Sequence, residues 1–455
     1  MGTWKLYVED YGKIEKAEIE CAPLTLIVGN NNCGKSYLMS LMWGLNNYGA
    51  AKLFRRDSVS ICEEEIQLHN WLREKMEQTM NTGFDESGVV EILDTCESLI
   101  NYYLRNNKEK LLAWIFNEKA TIGKIEIRLN PEEIGKKRVH FAKKSENDIF
   151  MRVMGIDGKM SGGFGVDVER TNDSIDSIDF LLKGLLSGLL DIPYHVRGVQ
   201  TDIYLPAART GFMLAKDVVN TVGRNQAFNV EDEDTIVSPF TRPINQFLDV
   251  INGMPVESGA EEDYVQIAEL IEKHMVTGNI EISESPNREI MYMLQDDTKK
   301  VMPLRTVSAV VTELSPLILI LKHLSRITSL YYEEPEMCLH PQLQHQMGRI
   351  MARMVNSGVQ IIATTHSDIL VQSINNKIAL QNHAQKDSIC RELEYDESDL
   401  LKKDMVKVYQ FHEEQGTTCL EEIDCGPYGF AVPTFNNALD DIMAEAYRVQ
   451  GSEDE

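Results

Sequence analysis

The chain has 455 residues, 43% of them apolar, and a formal net charge of −26. This length and apolar content suffice for one large domain with insertions or for two domains. They exclude a small scaffold that depends on cross-links for its stability. The acidic charge argues against sequence-independent coating of DNA, because phosphate binding needs clustered lysine and arginine.

The basic residues and the cysteines further restrict the class of protein to which the chain can belong. The densest basic run, Lys136 to Arg138 with Lys143 and Lys144, is more typical of a solvated hairpin edge than of a nucleic-acid patch. The eight cysteines form no CxxC pair and no zinc-like spacing with histidine. With no signal peptide at the N-terminus and no apolar run of about 18 residues, we expect a reduced, cytoplasmic, soluble protein.

The first fifty residues predict strands, a loop and a helix. Short β-like runs at Trp4 to Val8 and Lys16 to Cys21 precede Leu24 to Val28, a largely apolar run suited to a strand buried on both faces. A helix is expected from Lys35 to about Leu45, because leucines and Met42 recur there at helical spacing.

Helices and short strands follow up to residue 275. The segment Cys62 to Phe116 predicts two or three long helices with a break at Gly83 to Gly88. Residues 155 to 178 are rich in glycine and aspartate, which predicts a mobile loop. Residues 211 to 275 are expected to be mostly helical. The remaining predictions of this region are strands at Lys124 to Leu129, Arg138 to Ala142, Ile149 to Val153 and Ile203 to Leu205, and a helix at Ile178 to Leu190.

The last third of the chain predicts alternating strands and helices. The expected elements are a hairpin of Asn279 to Ile282 with Glu289 to Leu294, strands at Val301 to Leu304, Leu330 to Tyr332, Val359 to Thr364, Val406 to Phe411 and Thr418 to Ile423, and helices at Ala309 to Leu324 with a kink at Pro316, Pro341 to Asn356, Asp368 to Ile374 and Asn436 to Val449.

A glycine-rich loop lies between the third predicted strand and the first helix. It reads Gly29-Asn30-Asn31-Asn32-Cys33-Gly34-Lys35-Ser36 and fits G-x-x-x-x-G-K-[ST] in full. Gly29 and Gly34 let backbone N–H groups converge on phosphates, Lys35 places a charge on the β- and γ-phosphates, and Ser36 would ligate Mg²⁺. The loop therefore predicts binding of ATP with Mg²⁺.

Two later strands end in groups suited to hydrolysis. Leu330 to Tyr332 leads into Glu333, expected near Mg²⁺, and Glu334, expected to polarise the attacking water. Glu333 stands where such strands usually carry aspartate, and alone a strand ending in acids is as often merely solvated. His366 follows the strand Val359 to Thr364. A lone histidine there is more often structural, but its place one helix and one strand after Glu334 favours donation to the γ-phosphate.

The three motifs, in this order, resemble the ABC-type ATPases of the RecF, SMC and OLD group over residues 3 to 50 and 300 to 375. The phrases Glu333-Glu-Pro-Glu, Leu339-His-Pro and Thr364-Thr-His-Ser look particularly like ATPase subunits of bacterial anti-phage defence systems such as Septu and PARIS, and the phrase that begins at Tyr204 is similar to one in that group.

This resemblance implies an α/β fold, an ABC-type P-loop ATPase domain with a mixed sheet and flanking helices, split by a long mainly helical insertion. The implied domains are residues 1–55 with the loop motif, 56–200 as the insertion, and 201–455 with the other motifs.

In such families a signature segment from a second subunit completes the site. The candidate is Val307 to Leu314, which lacks the Ser-Gly-Gly core and has Ala309 where glycine is usual. Ser308 could cap the following helix and touch a γ-phosphate in trans, or the segment is an ordinary capped helix. Arg209 is either a phosphate or subunit contact or a surface ion-pair residue.

The resemblance implies an ATPase subunit that forms a homo-oligomer, a dimer or higher, and controls a separate effector such as a Toprim or HNH nuclease in response to a trigger such as a phage protein. About ninety residues follow His366, too few for a Toprim core, and Asp396 to Asp399 is more typical of a solvated turn. The insertion, residues 55 to 200, is expected to recognise partners.

Two alternatives remain open. One is a RecF- or SMC-like DNA-binding ATPase of recombination or repair, which the negative charge disfavours although a narrow basic groove would permit it. The other is a self-sufficient nuclease that uses Asp396 or Asp399.

Overall fold

The computed structural model of the chain describes residues 3–56, 61–146, 148–155, 160–167, 175–194, 201–216, 240–257, 259–283, 288–296, 298–427, 429–433 and 443–449. Contacts divide the chain into two compact units. Unit 1 consists of Met1–Cys21, Ser40–Gln200 and Gln415–Cys419, and unit 2 of Ala22–Met39, Thr201–Glu414 and Leu420–Glu455. The division by motif into 1–55, 56–200 and 201–455 stays a prediction.

The described α-helices are, in chain order, α1 (Lys35–Tyr48), α2 (Ala50–Leu53), α3 (Glu63–Thr82), α4 (Leu93–Phe116), α5 (Pro131–Ile134), α6 (Ile175–Leu190), α7 (Arg242–Gly253), α8 (Glu262–Ile271), α9 (Ala309–His323), α10 (Pro341–Asn356), α11 (Asp368–Gln381) and α12 (Lys386–Leu393). None of the helices in these described stretches combines the length and the apolar character needed to cross a membrane.

The described strands are β1 (Trp4–Tyr11), β2 (Ile14–Glu20), β3 (Leu24–Val28), β4 (Phe84–Gly88), β5 (Ile122–Leu129), β6 (Arg138–Lys143), β7 (Asp148–Met154), β8 (Met160–Asp167), β9 (Asp202–Leu205), β10 (Gly278–Ile282), β11 (Ile290–Leu294), β12 (Val301–Pro303), β13 (Ser329–Glu333), β14 (Gln360–Thr365), β15 (Val406–Glu414), β16 (Thr417–Ile423), β17 (Cys425–Gly426) and β18 (Gly429–Phe430).

Unit 2 contains a run of parallel strands in the order β15-β3-β14-β13-β9. Every residue of β3 and of β13 is buried, as expected for strands covered on both faces. Because these strands are parallel, Val28, Glu333 and Thr365 end at one edge of the sheet. Ligands of open α/β sheets bind at that edge, so the segments that follow β3, β13 and β14 are placed to form a site.

The core of unit 2 joins this sheet to its helices. It includes Leu26, Leu330 and Ala363 of the strands, Leu317 of α9 and Ile350 of α10, all fully or almost fully buried. A smaller antiparallel sheet, β10-β11-β12, belongs to the same unit. The mainly apolar helix α9 and the amphipathic helix α10 are thus held by burial of apolar surface, the dominant favourable contribution to folding.

Unit 1 contains antiparallel strands and long helices. β5, β1 and β2 are paired in that order, and the start of β16 pairs with β2 through Thr418 and Ile14. A second antiparallel sheet has the order β4-β6-β7-β8. Residues 56–200 therefore supply both the long helices α3, α4 and α6 and the strands β4 to β8.

Buried charges connect α3 to α6 in unit 1. One guanidinium nitrogen of Arg56 lies 2.7 Å from Glu65 and 2.9 Å from Asp179, and Lys183 lies 2.7 Å from Asp179. His69, one turn after Glu65, is 4% exposed. Burial lowers the pKa of His69 to about 4, so its imidazole is neutral inside this network at pH 7.

Most predicted elements are confirmed. The break at Gly83 to Gly88 is one of them, because α3 ends at Thr82 and α4 begins at Leu93; strand β4, which the sequence did not predict, lies within the break and pairs with β6. One prediction is wrong. The predicted mobile loop, 155 to 178, contains strand β8 on β7 and the start of α6. β8 is glycine-rich and has no apolar alternation, so its strand conformation depends on pairing with β7 rather than on local sequence. Residues 217–239 and 436–442, where helix was expected, lie outside the described residues; residues 443–449 are helical.

Candidate functional site

The loop Gly29–Ser36 joins β3 to α1 as predicted, and it lies in unit 2. Gly34 has φ 105°, a conformation that residues with a Cβ rarely adopt. A Cβ on Gly29 would lie 3.0 Å from Cβ of Phe411. Both positions therefore favour glycine, Gly34 for its backbone conformation and Gly29 for the close approach of Phe411. Asn30, Asn31, Asn32 and Ser36 are exposed, whereas Cys33 is buried.

Lys35 lies folded over its own loop. Its ammonium donates hydrogen bonds to the carbonyl oxygens of Gly29 at 3.0 Å and Asn30 at 2.8 Å. Burial lowers the pKa of Lys35, and the charges of Glu334 and Glu336, among others, oppose that shift. Two carboxylates thus lie close enough to Lys35 to act on its charge, and both follow β13.

Glu333 ends β13 with its carboxylate turned toward β9. One oxygen accepts a hydrogen bond from the hydroxyl of Tyr204 and the other from the N–H of Ala207, each at 2.8 Å. Glu333 is 8% exposed. The sequence predicted Glu333 as a ligand of Mg²⁺; that role stays a prediction, and each oxygen already has a protein partner.

Glu334 has a backbone conformation that is rare for a residue with a side chain. Its φ is 42°, in the left-handed region. Its N–H donates to the carbonyl of Thr364 on β14 at 3.0 Å. Its side chain is about one-third exposed and lies 3.8 Å from Nε2 of His366. A left-handed residue held by a neighbouring strand is typical of functional sites.

His366 follows β14 and lies beside both Glu334 and the loop. Burial, and then the charge of Lys35, lower the pKa of His366, so the imidazole is neutral at pH 7. The next residue, Ser367, caps α11 by accepting a hydrogen bond from the N–H of Leu370 at 3.0 Å. This cap fixes the chain directly after His366.

Glu336 is a residue of this site to which the sequence analysis gave no role. One of its oxygens accepts a hydrogen bond from the backbone N–H of His366 at 2.6 Å. The other is shielded from solvent and has no hydrogen-bond partner among the described residues. Burial, and to a smaller extent the charge of Glu334, raise the pKa of Glu336. The only signal in the sequence is a third acid after Glu333 and Glu334.

Arg209 forms an ion pair, as one interpretation from the sequence has it, but the residue is buried and not on the surface; the alternative contact with a phosphate or a second subunit stays a prediction. It is 0% exposed, and it forms a buried ion pair of 2.8 Å with Glu313. Its guanidinium also donates to the carbonyl oxygens of Glu333 and Glu334. The reason is topological: β9 lies beside β13, so the turn after Pro206 reaches the end of β13.

Ser308 is the N-cap residue of α9 by backbone conformation, but its side chain makes no capping hydrogen bond. The predicted side-chain cap is therefore wrong. Its carbonyl oxygen accepts from the N–H and the hydroxyl of Thr312. Ser308 and Ala309 are both exposed. The contact with a γ-phosphate in trans stays a prediction.

The acidic turn Asp396 to Asp399 is not simply solvated. Asp399 is 0% exposed and accepts hydrogen bonds from Arg349 and Arg353 of α10 at 2.6 to 3.0 Å. Its oxygen also accepts from the N–H of Asp396. Both oxygens of the Asp399 carboxylate are therefore bound by the two arginines. Burial alone would raise the pKa of Asp399, but these hydrogen bonds outweigh it and lower the pKa. A carboxylate bound in this way is poorly suited to a metal-dependent nuclease.

The basic run in unit 1 is also less exposed than expected. Lys137 is 1% exposed and donates to the carbonyl oxygens of Gly188 and Leu189. It forms an ion pair of 2.7 Å with Asp191. The interpretation as a solvated hairpin edge is thus wrong for Lys137, whose ammonium holds the end of α6 instead.

Comparison with known proteins gives one family match. The family model described as AAA ATPase domain matches residues 1–160 and 226–371, which is more than half of the chain. A comparison with curated proteins gave no match.

Solved structures give distant similarities. The SMC head domain from Thermotoga maritima is 11% identical, with a TM-score of 0.34 over 93% of this chain and 100% of that one. An Smc head domain with an extended coiled coil, bound to the C-terminal domain of ScpA derived from Pyrococcus furiosus, is 13% identical, with a TM-score of 0.36 over 96% of this chain and 98% of that one.

Proposed function

Because the chain belongs to the AAA ATPase domain family, whose model matches residues 1–160 and 226–371, we propose that it binds ATP at Gly29–Ser36 and hydrolyses it to ADP and phosphate. The α/β fold predicted for a P-loop ATPase is confirmed by this match and by the strand–loop–helix of β3 and α1.

One observation carries the proposal. Glu334 and His366, which follow two different strands, lie 3.8 Å apart, and each interacts electrostatically with Lys35 of the loop. A phosphate-binding lysine, a carboxylate and a neutral imidazole at the carboxyl edge of parallel strands form the set of groups that hydrolysis of a phosphoanhydride needs.

Each residue has a role that follows from its position. Backbone N–H groups of the loop and the start of α1 favour an anion. Lys35, whose ammonium now contacts loop carbonyls, would exchange those neutral acceptors for phosphate oxygens, a stronger charge-assisted bond. Glu334 would accept the proton of the attacking water, and neutral His366 would donate to the γ-phosphate.

The oxygen donors near the loop suit Mg²⁺, which prefers hydroxyl, carboxylate and phosphate oxygens. The hydroxyl of Ser36 and the carboxylate of Glu333, which ends β13, would hold it. When bound, Mg²⁺ neutralises charge on the transferred phosphoryl group. Adding EDTA to the ATPase assay should abolish phosphate release, and excess Mg²⁺ should restore it.

We infer that the protein self-associates with nucleotide, as a dimer or higher oligomer. The first turn of α9 is exposed at Ser308, and a helix N-terminus there could contact the γ-phosphate bound to a second copy. Sedimentation velocity of Glu334→Gln, with and without ATP and Mg²⁺, tests this. A larger species only with ATP supports the inference, and a monomer in both conditions contradicts it.

We further propose that this ATPase serves an anti-phage defence complex and controls a separate effector, such as a Toprim or HNH nuclease, after a trigger such as a phage protein. The support is the set of motifs around Glu333, Leu339 and Thr364. The engagement of Asp399 by Arg349 and Arg353 adds support, because it removes a candidate nuclease acid from this chain.

A tagged Glu334→Gln variant, expressed from its native gene neighbourhood and purified with ATP, tests the defence complex. A small nuclease- or toxin-like protein in stoichiometric amount supports it. Recovery of DNA and repair proteins instead contradicts it and favours the DNA-binding ATPase. Binding of linear duplex DNA at sub-micromolar protein, in a salt-sensitive way, would favour the same alternative.

A further inference from the structure

Arg209 holds the end of β13 by its backbone. One terminal nitrogen donates to the carbonyl of Glu333 at 2.5 Å, and the other donates to the carbonyl of Glu334 at 2.9 Å. The guanidinium lies over the ring of Tyr332, 4.7 Å from its centroid. One fully buried cation therefore contacts three consecutive residues of the segment that carries the proposed general base.

The backbone of Glu334 is held from two sides. Its N–H donates to Thr364 at 3.0 Å, and its carbonyl accepts from Arg209. Its φ of 42° is a conformation that a residue with a Cβ leaves readily unless its surroundings hold it. The direction of the Glu334 side chain therefore depends on Arg209.

Glu313 fixes Arg209 in turn. It is 1% exposed and pairs with Arg209 at 2.8 Å. Its second oxygen accepts hydrogen bonds from the N–H and the hydroxyl of Thr210, at 2.9 and 2.6 Å. Glu313 lies in the second turn of α9, the helix whose exposed N-cap is Ser308. A continuous chain of polar contacts thus joins Glu313 of α9 to the backbone of Glu334.

We propose that Arg209 and Glu313 are positioning residues, which hold Glu334 in the orientation for hydrolysis and link it to α9. The proposal rests on the proposed ATPase function. Its consequence is that a contact made at Ser308 by a second copy, which displaces α9, also moves the general base of the same chain. Hydrolysis in one subunit would then depend on docking of the other.

The variant that tests this is Arg209→Met with Glu313→Gln. Removing only one partner leaves a buried unpaired charge and damages the fold, whereas neutralising both is tolerated far better. Methionine keeps much of the apolar length of arginine, and glutamine keeps the acceptor for Thr210. What the double variant loses are the donors to the carbonyl oxygens of Pro206, Glu333 and Glu334.

The same helix offers a matched control. Near the end of α9, Lys322 pairs with the buried Glu272 at 3.0 Å and donates to the carbonyl of Ile280. Lys322→Met with Glu272→Gln therefore removes an ion pair of the same kind, on the same helix, whose contacts are with the β10 region and not with β13.

Two measurements separate positioning from stability. Hydrogen–deuterium exchange of the peptide spanning 330–340 should be at least about tenfold faster in the Arg209/Glu313 variant than in the parent, because the contact that holds Glu334 is gone. Steady-state hydrolysis should show kcat reduced at least about tenfold, with the dissociation constant of a fluorescent ATP analogue within about threefold of the parent. The Lys322/Glu272 control should match the parent in both.

The outcomes are distinct. Parental exchange at 330–340 together with parental kcat would overturn the positioning role. A parent that binds and hydrolyses no ATP overturns the proposed function, while the exchange measurement still decides whether Arg209 holds this segment. If the double variant does not fold, Glu313→Asp replaces it: retraction of the carboxylate by one methylene should lower kcat with nucleotide affinity kept, and an unchanged kcat would overturn the proposal.

Discussion

Nε2 of His366 lies 3.8 Å from Oε1 of Glu334. In the chain, however, 31 residues separate the ends of the two strands that these residues follow, Glu333 and Thr365. Burial and the charge of Lys35 lower the pKa of His366, so at pH 7 the contact joins a carboxylate to a neutral imidazole. The histidine can therefore donate one hydrogen bond without neutralising the proposed general base.

Replacing Lys35 by alanine should strongly weaken nucleotide binding. The phosphate charges lose their cation, and one charge-assisted bond of this kind contributes about 1.5 to 3 kcal/mol, or roughly ten- to a hundredfold in affinity. Titration of a fluorescent ATP analogue measures the effect. The control is Lys300→Ala, an exposed lysine of the same unit, which should bind as the parent does; parental affinity of Lys35→Ala would show that ATP binds elsewhere.

Glu336 should act through the oxygen that accepts the N–H of His366 and not through its charge. Burial raises its pKa, so a neutral amide of the same shape is a close substitute. Glu336→Gln should therefore keep kcat within about threefold of the parent, whereas Glu336→Ala should lower it at least about tenfold, since an unpaired buried N–H costs about 1 to 3 kcal/mol. Equal loss in both variants would assign the role to the charge.

His69 should make unit 1 sensitive to acid. Its pKa falls from 6.5 in the unfolded chain to about 4 in the folded protein. Because the unfolded state binds the proton more readily, stability is complete above pH 6.5 and is lost as pH falls toward 4, by on the order of 3 kcal/mol. Urea unfolding between pH 7 and pH 4 measures this.

The control for this loss is His69→Gln, which is less stable at pH 7 but cannot take up the proton. Its free energy of unfolding should fall less steeply between pH 6.5 and pH 4 than that of the parent. An identical slope in the two proteins would contradict the assignment to His69.

Ser308→Arg should prevent ATP-dependent association without weakening nucleotide binding by more than about threefold. An arginine side chain at the exposed start of α9 would obstruct a second copy, while the loop Gly29–Ser36 is untouched. Sedimentation velocity in the Glu334→Gln background measures association. Ser325→Arg, exposed beyond the other end of α9, should associate normally, and association of Ser308→Arg to the same extent would exclude this surface.

The sequence predicted those parts of the site that depend on local order. The loop Gly29–Ser36 needs an apolar strand before it and a helix after it, and both are read from neighbouring residues. The helix Pro341–Asn356 is confirmed at both ends, since proline at its first position and its apolar spacing are local signals.

The parts that sequence missed depend on distant pairing. The burial of Arg209 follows from β9 lying beside β13, strands more than a hundred residues apart. Asp399 is buried because α10 presents Arg349 and Arg353 to it. Glu336 belongs to the site because it accepts a hydrogen bond from the N–H of His366, which follows β14. In each case a charged residue reads as solvated until its partner is known.

The most direct test is hydrolysis by Glu334→Gln under saturating ATP and Mg²⁺, with nucleotide binding measured on the same sample. The amide cannot accept a proton from water, so phosphate release should fall about a hundredfold or more while affinity stays parental. Glu281→Gln, an exposed acid of the same unit, should release phosphate as the parent does. Parental release by Glu334→Gln would contradict the site assigned here.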